Sequence, residues 1–507
     1  MSTASEKLAQ SLEILSEFQK EDGSAVIKSS NISRTHRERL LNIGFLKEVI
    51  KGWYISTRPD QPRGDTTGWY TSYWHFISAY LNNRFDNQWC LSPEMSLMIH
   101  SGIWTVPRLL LIRSPKGSNN TVNLPDDTSI FDARLSIPDK RNTLIIEGIR
   151  IYSLPMALIY SSPVVFTQNE TEIKAVMATI KDASEILEHL LEDGSSTIAG
   201  RLAGAFRNIG QNKLSEEILD TMKIAGYDVR ESDPFAEKTG TDLKLKGVSP
   251  YVNRIRLLWG KMRNDISDHF PPLPGLPKDI DNYLQKIEEK YVTDAYHSLS
   301  IEGYKVSTEL IEKVRLGNWD PESDDDQKHK DAMAAKGYWD AFNAVKESIK
   351  RVLTGQTPGK VWEEDHSKWF RQLFAPSVAV GLIKQSDLAG YRRAQVYIRQ
   401  SRHVPMNYNA LPDVMPVLSE LLENEPEPWI RSVLGHFIFV YIHPYMDGNG
   451  RIGRFLMNLM LASGGYPWIV VPVERRNEYM QALENASVEQ NINPFNNFIL
   501  TLFNNQV

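Results

Sequence analysis

The sequence is poor in cysteine, in long apolar runs and in net charge. Its single cysteine, Cys90, excludes an intramolecular disulfide framework and any metal site built from several cysteines. No apolar run reaches the roughly 18 residues of a membrane-spanning helix, and the first residues lack a basic and apolar leader pattern. A net charge of −6 argues against bulk coating of nucleic acid but leaves a local basic face open. We therefore expect a cytoplasmic protein with no membrane segment.

What the sequence does contain is enough for several folded domains. With 507 residues, of which 41% are hydrophobic and 24% charged, the chain has a globular composition and exceeds the usual size of one core. The order of the helical and strand-like patterns predicts three domains and a connection, at residues 1–63, 64–234, 235–270 (the connection) and 271–503.

The segment 1–63 has the pattern of a winged helix-turn-helix. Amphipathic helical patterns precede two β-prone runs, 46–50 and 53–56. Ser33 is suited to cap the second helix. The runs are separated by Lys51-Gly52, which is typical of a two-residue hairpin. Helices followed by a short hairpin predict an α+β module.

Such a module suggests a contact to DNA. Arg34, Arg37 and Arg39 would lie on the recognition helix, and Lys51 would lie in the wing. Alternatively, the segment is a protein-interaction module whose arginines form a solvated face, because folds of this kind also serve for docking.

Residues 64–234 alternate between strand-like and helical patterns and predict an α/β domain. Residues 90–96 and 108–113 resemble the middle part of AbiEi-type antitoxin proteins, in which a winged helix precedes an α/β domain. A polar stretch then indicates a linker with a helical connection over 235–270, before a proline-rich lead into the last domain.

The last domain is organised around a loop between two apolar helical patterns. Pro444 disfavours helical geometry at His443 and so ends the first helix. The turn Asp447-Gly448-Asn449-Gly450 then opens the second helix, where free N–H groups and the helix dipole favour an anion. Such a loop can hold a phosphate.

Three charged side chains around this loop extend the phosphate hypothesis. Arg451 and Arg454 are three residues apart and can grip phosphate oxygens from one side. Asp447 is out of place among these cations unless it holds Mg²⁺. His443 is available as a general base. The alternative is a helix-loop-helix turn in which these residues only satisfy backbone geometry.

The string from His443 to Arg454 resembles the signature of the Fic family, His-Pro-Phe-x-Asp-Gly-Asn-Gly-Arg-x-x-Arg, with Tyr445 in place of phenylalanine. The resemblance covers about residues 271–503 and implies a mainly α C-terminal half, with an all-α core and a β-hairpin flap near residues 390–405 on which a target segment lies.

The resemblance also implies a reaction, the transfer of AMP from ATP to a Ser, Thr or Tyr hydroxyl of a target protein or of the chain itself. His443 would be the base, and Asp447 would hold Mg²⁺. The nucleotide would be bound by a further set of residues: Gly448, Asn449, Gly450, Arg451, Arg454 and Tyr479.

A second motif lies upstream, where Ser298-Leu299-Ser300-Ile301-Glu302-Gly303 resembles the family's inhibitory motif, Ser/Thr-x-x-x-Glu-Gly/Asn. The resemblance implies that Glu302 pairs with Arg454 and occupies the place of a γ-phosphate. Alternatively, Glu302 is a surface residue before a glycine that ends a helix.

Two other functions stay open at the level of sequence. One is a DNA-binding transcriptional regulator whose Fic core senses nucleotide without turnover. The other is removal of AMP, with Glu302 aligning a water molecule. Family analogy also suggests a homodimer.

Overall fold

The computed structural model describes residues 3–21, 26–59, 65–235, 249–266, 270–318 and 326–506. It divides into two compact units, residues 1–250 with 397–404, and residues 251–396 with 405–507. The predicted boundary at 63/64 and much of the predicted linker lie outside the described residues, so the division into four segments stays a prediction. None of the helices in the described ranges is long and apolar enough to cross a membrane.

The first elements of unit 1 are helices around a small antiparallel sheet. They are α1 (Ala4–Glu21), β1 (Val26–Lys28), α2 (Arg34–Ile43), β2 (Leu46–Ile50) and β3 (Trp53–Ser56), with the strands in the order β1-β3-β2. Ser33 caps α2 by accepting a hydrogen bond from the His36 N–H. The predicted second helix and hairpin strands are confirmed, whereas the winged-helix assignment stays a prediction.

The rest of unit 1 combines strands and helices. The elements are α3 (Thr67–Phe85), β4 (Cys90–Leu91), α4 (Pro93–His100), β5 (Leu109–Ser114), β6 (Thr121–Asn123), β7 (Ser129–Arg134), β8 (Thr143–Ile146), β9 (Ile149–Tyr152), α5 (Leu154–Tyr160), α6 (Pro163–Gln168), α7 (Glu170–Met177), α8 (Ser184–Asp193), α9 (Ser196–Asn208) and α10 (Asn212–Ile224). One sheet has the order β4-β5-β7-β6, in which β5 and β7 are parallel, and β8 pairs with β9. The expected mixture of helices and strands in the N-terminal half is confirmed.

Unit 2 is built from helices. They are α11 (Pro250–Ile266), α12 (Ile280–Glu289), α13 (Tyr291–Ile301), α14 (Thr308–Arg315), α15 (Asp326–Leu353), α16 (Pro358–Ala379), α17 (Leu411–Asn424), α18 (Pro428–Ile442), α19 (Asn449–Ala462), α20 (Arg476–Val488) and α21 (Asn493–Gln506). Nearly all of α18 and α19 is buried. Helix α18 is apolar around most of its circumference, whereas α19 also buries Arg451 and Arg454. The mainly α C-terminal half is confirmed.

The predicted β-hairpin flap differs from the structure. Residues 390–406, all of them described, contain no strand. Carbonyl groups at the two ends of this segment accept hydrogen bonds from side chains instead of from a facing strand. Gln395 Nε2, for example, donates to the Pro405 carbonyl over 2.7 Å. Pro405 itself has no N–H to give to a β-ladder. The segment is therefore a loop that is held by side-chain hydrogen bonds.

Candidate active site

His443 lies where α18 ends. Its backbone has φ +55° and ψ +60°, the left-handed region, which stops the helix before Pro444. Nδ1 lies 3.2 Å from the Val440 carbonyl, so this nitrogen carries the proton and Nε2 is the basic one. Although the residue keeps part of its surface open, burial lowers the pKa of His443 to about 4, and the Arg392 charge acts in the same direction. The imidazole is therefore neutral at physiological pH, as a base requires.

The Asn449 side chain stabilises the loop after His443 through hydrogen bonds to its backbone. Its Oδ1 accepts a hydrogen bond from the Tyr445 N–H at 3.0 Å, and its Nδ2 donates to the Tyr445 carbonyl at 2.8 Å. The Asn449 amide thus shapes the loop, and only its backbone N–H is placed to meet a phosphate. Tyr445, the departure from the family signature, stacks on Phe370 with ring centroids 4.0 Å apart. An aromatic ring is what this position needs, with or without a hydroxyl.

Two glycines let other groups approach the start of α19. Gly448 has φ +82°, and a Cβ there would lie 2.8 Å from the Phe374 ring. A Cβ on Gly450 would lie 2.3 Å from Glu302 Oε1. Since the first N–H groups of a helix have no intrahelical acceptor, this end of α19 offers donors to an anion.

Arg451 is held in the core beside this loop. Its guanidinium lies between two aromatic rings, 5.3 Å from the Tyr304 centroid and 5.0 Å from that of Phe374. Nη2 is 3.4 Å from Asp447 Oδ1. Within the described residues, Nε and Nη2 of this buried side chain have no hydrogen-bond partner. Buried donors without acceptors cost free energy, so Arg451 is suited to receive phosphate oxygens.

Arg454 contacts the upstream motif directly. Its Nε donates to Ser298 Oγ at 2.8 Å, and its Nη2 donates to Glu302 Oε1 at 2.8 Å and to the Ser298 carbonyl at 3.1 Å. Gly303 follows with φ +91°, which closes the turn after α13. The structure thus brings Ser298, Glu302 and Arg454 together, in the pairing that the sequence motif implies. Arg454 Nη1 is buried without a hydrogen-bond partner among the described residues and can take an anion.

Asp447 fits a magnesium ion that is shared with a nucleotide. Its side chain is 63% exposed, and its Oδ1 accepts a hydrogen bond from the Gly448 N–H. Within the ranges described, no group of three or more His, Cys, Asp or Glu side chains is arranged to hold a metal. One carboxylate with phosphate oxygens and water is, however, a usual environment for Mg²⁺.

Tyr479 lies in the core rather than on an open surface. Its ring packs near Phe495 and Phe498, and its hydroxyl is 2.7 Å from His436 Nε2. Burial raises the pKa of Tyr479 to about 12, so it stays protonated. The ring is 1% exposed, and its predicted contact to a nucleotide stays a prediction.

The arginines predicted to contact DNA are mostly engaged within their own module. Arg37 Nη1 donates to the Ser29 carbonyl, and Arg39 Nη1 donates to the Lys7 carbonyl and to Ser11 Oγ, which ties α2 to α1. Arg34 is exposed and pairs with Glu38 at 2.6 Å. Lys51 is exposed in the turn between β2 and β3. The predicted DNA contacts stay predictions. The hydrogen bonds of Arg37 and Arg39 give these two residues a structural role.

The sequence assigned no role to three residues that surround the site. Tyr304 and Phe374 flank Arg451, and Arg392 Nε donates to the His443 carbonyl at 2.8 Å. Tyr304 directly follows Glu302-Gly303, which is a signal that could have marked it. Phe374 lies on α16, far from the motif in sequence, and only packing reveals it.

We expect the melting temperature to fall as the pH is lowered from about 6.5 to about 4. Burial lowers the pKa of both His436 and His443 to about 4. The unfolded chain binds protons on these rings near pH 6.5, so in this window it binds more protons than the folded chain, and acid favours unfolding. A shift of this size corresponds to on the order of 3 kcal/mol for each ring.

Thermal denaturation of wild type and His436→Gln across this window tests the effect. The variant should be less stable at neutral pH yet lose less of its stability on acidification. The exposed His75→Gln is the matched control and should retain the wild-type slope. An unchanged slope in His436→Gln would contradict the linkage.

This chain is similar to several known proteins. A solved structure of a Fic domain containing signaling protein from Bacteroides thetaiotaomicron aligns with 50% of this chain and 92% of its own length, at 19% identity and a TM-score of 0.37. Protein adenylyltransferase Fic of Drosophila yakuba is 39% identical over 113 residues, which are 22% of this chain and 22% of that protein. The protein of the same name from Drosophila grimshawi is 28% identical over 216 residues, 42% of this chain and 41% of the relative.

The chain therefore spans between about a fifth and two fifths of the length of these curated relatives. The family match itself covers residues 364–461 and is described as Fic/DOC family. This range contains the complete string from His443 to Arg454. Residues 364–461 form a domain of the Fic/DOC family.

Proposed function

We propose that this protein transfers AMP from ATP to a hydroxyl group of a protein and that Glu302 restrains the transfer. The observation that carries the proposal is the set of groups at the start of α19. The buried guanidinium groups of Arg451 and Arg454 have unused donors beside a neutral His443. This combination provides a phosphate site and a base within one loop.

In this reaction His443 Nε2 takes the proton of a Ser, Thr or Tyr hydroxyl of the target. The hydroxyl oxygen attacks the α-phosphorus of ATP, the bond to the bridging oxygen of the β-phosphate breaks, and pyrophosphate leaves. The Nδ1–H contact to Val440 supports this role, because it fixes the tautomer that has Nε2 free. The target is then an AMP ester.

The phosphates are bound by the N-terminus of α19 and by its two arginines. The backbone around Gly448, Asn449 and Gly450 contributes N–H groups, and Arg451 contributes charge at the α- and β-phosphates. Arg454 takes the γ-phosphate and so orients the α-phosphate for in-line attack. Reactions of this type depend mostly on positioning and charge stabilisation.

Asp447 is the residue that would hold Mg²⁺ in this site. Its exposed carboxylate lies beside the phosphate-binding loop, which fits an ion that also needs phosphate oxygens. When bound, the ion would supply positive charge that stabilises the phosphates. Arg451, 3.4 Å from the carboxylate, keeps Asp447 directed at that place.

Glu302 restrains the reaction by competing for Arg454. Its carboxylate oxygen accepts from Nη2 in the way that a γ-phosphate oxygen would, at the anion-favouring end of α19. ATP that binds while this pair persists cannot place its γ-phosphate on Arg454, and its α-phosphate is not aligned.

Asp447→Asn in a Glu302→Gly background should lower the transfer rate at limiting magnesium at least about tenfold, because the amide removes the charge that attracts the ion. Chelation of divalent ions should abolish transfer in the parent. The rate is measured against magnesium concentration, with Asp413→Asn, at an exposed position of α17, as the matched control. An Asp447→Asn curve that overlays the parent would refute the metal role.

The proposed function is tested with ATP labelled at the α- or at the γ-phosphate. The Glu302→Gly variant, incubated with a lysate, should pass the α-label to protein and not the γ-label. Transfer of the γ-label would indicate a kinase instead. Nucleotide binding without any labelled protein would favour the nucleotide-sensing regulator.

A further inference from the structure

Arg392 is a buried arginine that joins three parts of unit 2. It is 3% exposed, and burial lowers its pKa only to about 10, so it stays charged at neutral pH. Its Nε donates to the His443 carbonyl at 2.8 Å, its Nη1 donates to the Ala394 carbonyl at 3.0 Å, and its Nη2 donates to the Met406 carbonyl. Its own backbone N–H donates to the Pro444 carbonyl at 2.9 Å.

The contact to His443 acts on a backbone that is unfavourable by itself. A non-glycine residue in the left-handed region is strained, and it persists only where neighbours hold it. The two Arg392 donors hold the carbonyls of His443 and Pro444, which follow the end of α18. Because the direction of the imidazole follows from this backbone, Arg392 fixes where Nε2 points.

The other contacts act on the loop over residues 390–406. Arg392 bonds a carbonyl near the start of the loop, Ala394, and one at its end, Met406. Gln395 adds a second tie to the Pro405 carbonyl. Arg392 and Gln395 thereby tie the two ends of the loop to each other. The loop corresponds to the segment on which the sequence predicts that a target lies.

We propose that Arg392 is a positioning residue that holds the ends of the target-binding loop and the backbone of the base His443 in fixed positions relative to each other. The inference rests on the proposed function, since it concerns the target of that reaction. A planar guanidinium is suited to this task because its fixed fork can serve three carbonyls at once, whereas a lysine ammonium on a flexible stem cannot reproduce that geometry.

The test uses Arg392→Ala and Arg392→Lys in the full-length Glu302→Gly parent, with a lysate protein fraction as target. We expect kcat for transfer of the α-label to fall roughly 10- to 100-fold in both, since small misplacement of reacting groups has effects of this size. KM and affinity for ATP should stay at the parent values, because the nucleotide is bound by α19. Methylguanidinium added to Arg392→Ala should recover part of kcat, whereas methylammonium should not.

Arg393→Ala, the exposed neighbour in the same loop, is the matched control and should keep the parent kcat. Melting temperatures of all variants separate loss of fold from loss of positioning. Parent-like kcat in Arg392→Ala, or an equal fall in kcat and ATP affinity, would overturn the positioning role. A parent that labels no protein would overturn the proposed function itself, and this inference with it.

Discussion

Replacing Glu302 by glycine should raise the rate of AMP transfer roughly 10- to 100-fold. The carboxylate accepts a hydrogen bond from Arg454, whose side chain is 3% exposed, over 2.8 Å. A hydrogen bond to a charged group contributes about 1.5–3 kcal/mol, which corresponds to this range of rates. Removing it frees the guanidinium for the γ-phosphate. Glycine is tolerated at this position because Glu302 is the C-cap residue of α13 and is followed by Gly303, which has positive φ.

The increase is measured as mass gained per molecule and as α-label transferred per unit time. Glu302→Gln is the matched control, because it keeps the size and one acceptor oxygen but removes the charge. It should give a rate between those of wild type and Glu302→Gly. Ser298→Ala removes the acceptor for Arg454 Nε and leaves the carboxylate pair, so it should activate less than Glu302→Gly. A Glu302→Gly variant no faster than wild type would contradict the restraint.

Replacing His443 by alanine in the Glu302→Gly parent should lower transfer by roughly 10²- to 10⁴-fold, the usual contribution of a general base. Affinity for ATP should be unchanged, because the arginines and the N-terminus of α19 remain. The same chemistry predicts the pH dependence of the parent. Since the pKa of His443 is lowered to about 4, kcat should not decline through the ordinary histidine range and should decline only in stronger acid.

Calorimetric titration with ATP and the α-label assay separate binding from chemistry in this variant. His75→Ala, on the exposed face of α3, removes an imidazole without touching the loop and should transfer at the parent rate. If His443→Ala transfers at the parent rate, another group is the base. If His443→Ala loses ATP affinity to the same extent as activity, His443 has a structural rather than a chemical role.

Local sequence was sufficient for the helices and the loop that carry the site. Pro444 predicts the end of α18, and apolar periodicity that begins at Ile452 predicts α19. Ser33 predicts the start of α2. In each case the signal and its effect lie within a few residues of each other, so neighbours in the chain determine the outcome.

The expectation of a β-hairpin flap was wrong, and the prediction for Asn449 was incomplete. The family resemblance implies a β-hairpin over 390–405, but side chains of Arg392 and Gln395 bond to carbonyls that a ladder would use. The sequence predicts that Asn449 binds phosphate, yet its side-chain amide is hydrogen-bonded to the Tyr445 backbone. In the folded chain several donors can reach the same acceptor, and the sequence does not show which of them forms the hydrogen bond.

By itself, the sequence determined which chemical groups this protein can use: a histidine, a glycine-rich helix start, two arginines, one carboxylate and an upstream Ser-x-x-x-Glu-Gly motif. Only the tertiary structure decided how they meet. It stacked Tyr304 and Phe374 against Arg451 and buried His443 enough to keep it neutral, whereas the Glu302–Arg454 pair was already implied by the family resemblance. Burial and long-range pairing depend on how helices pack, and a linear pattern does not contain that information.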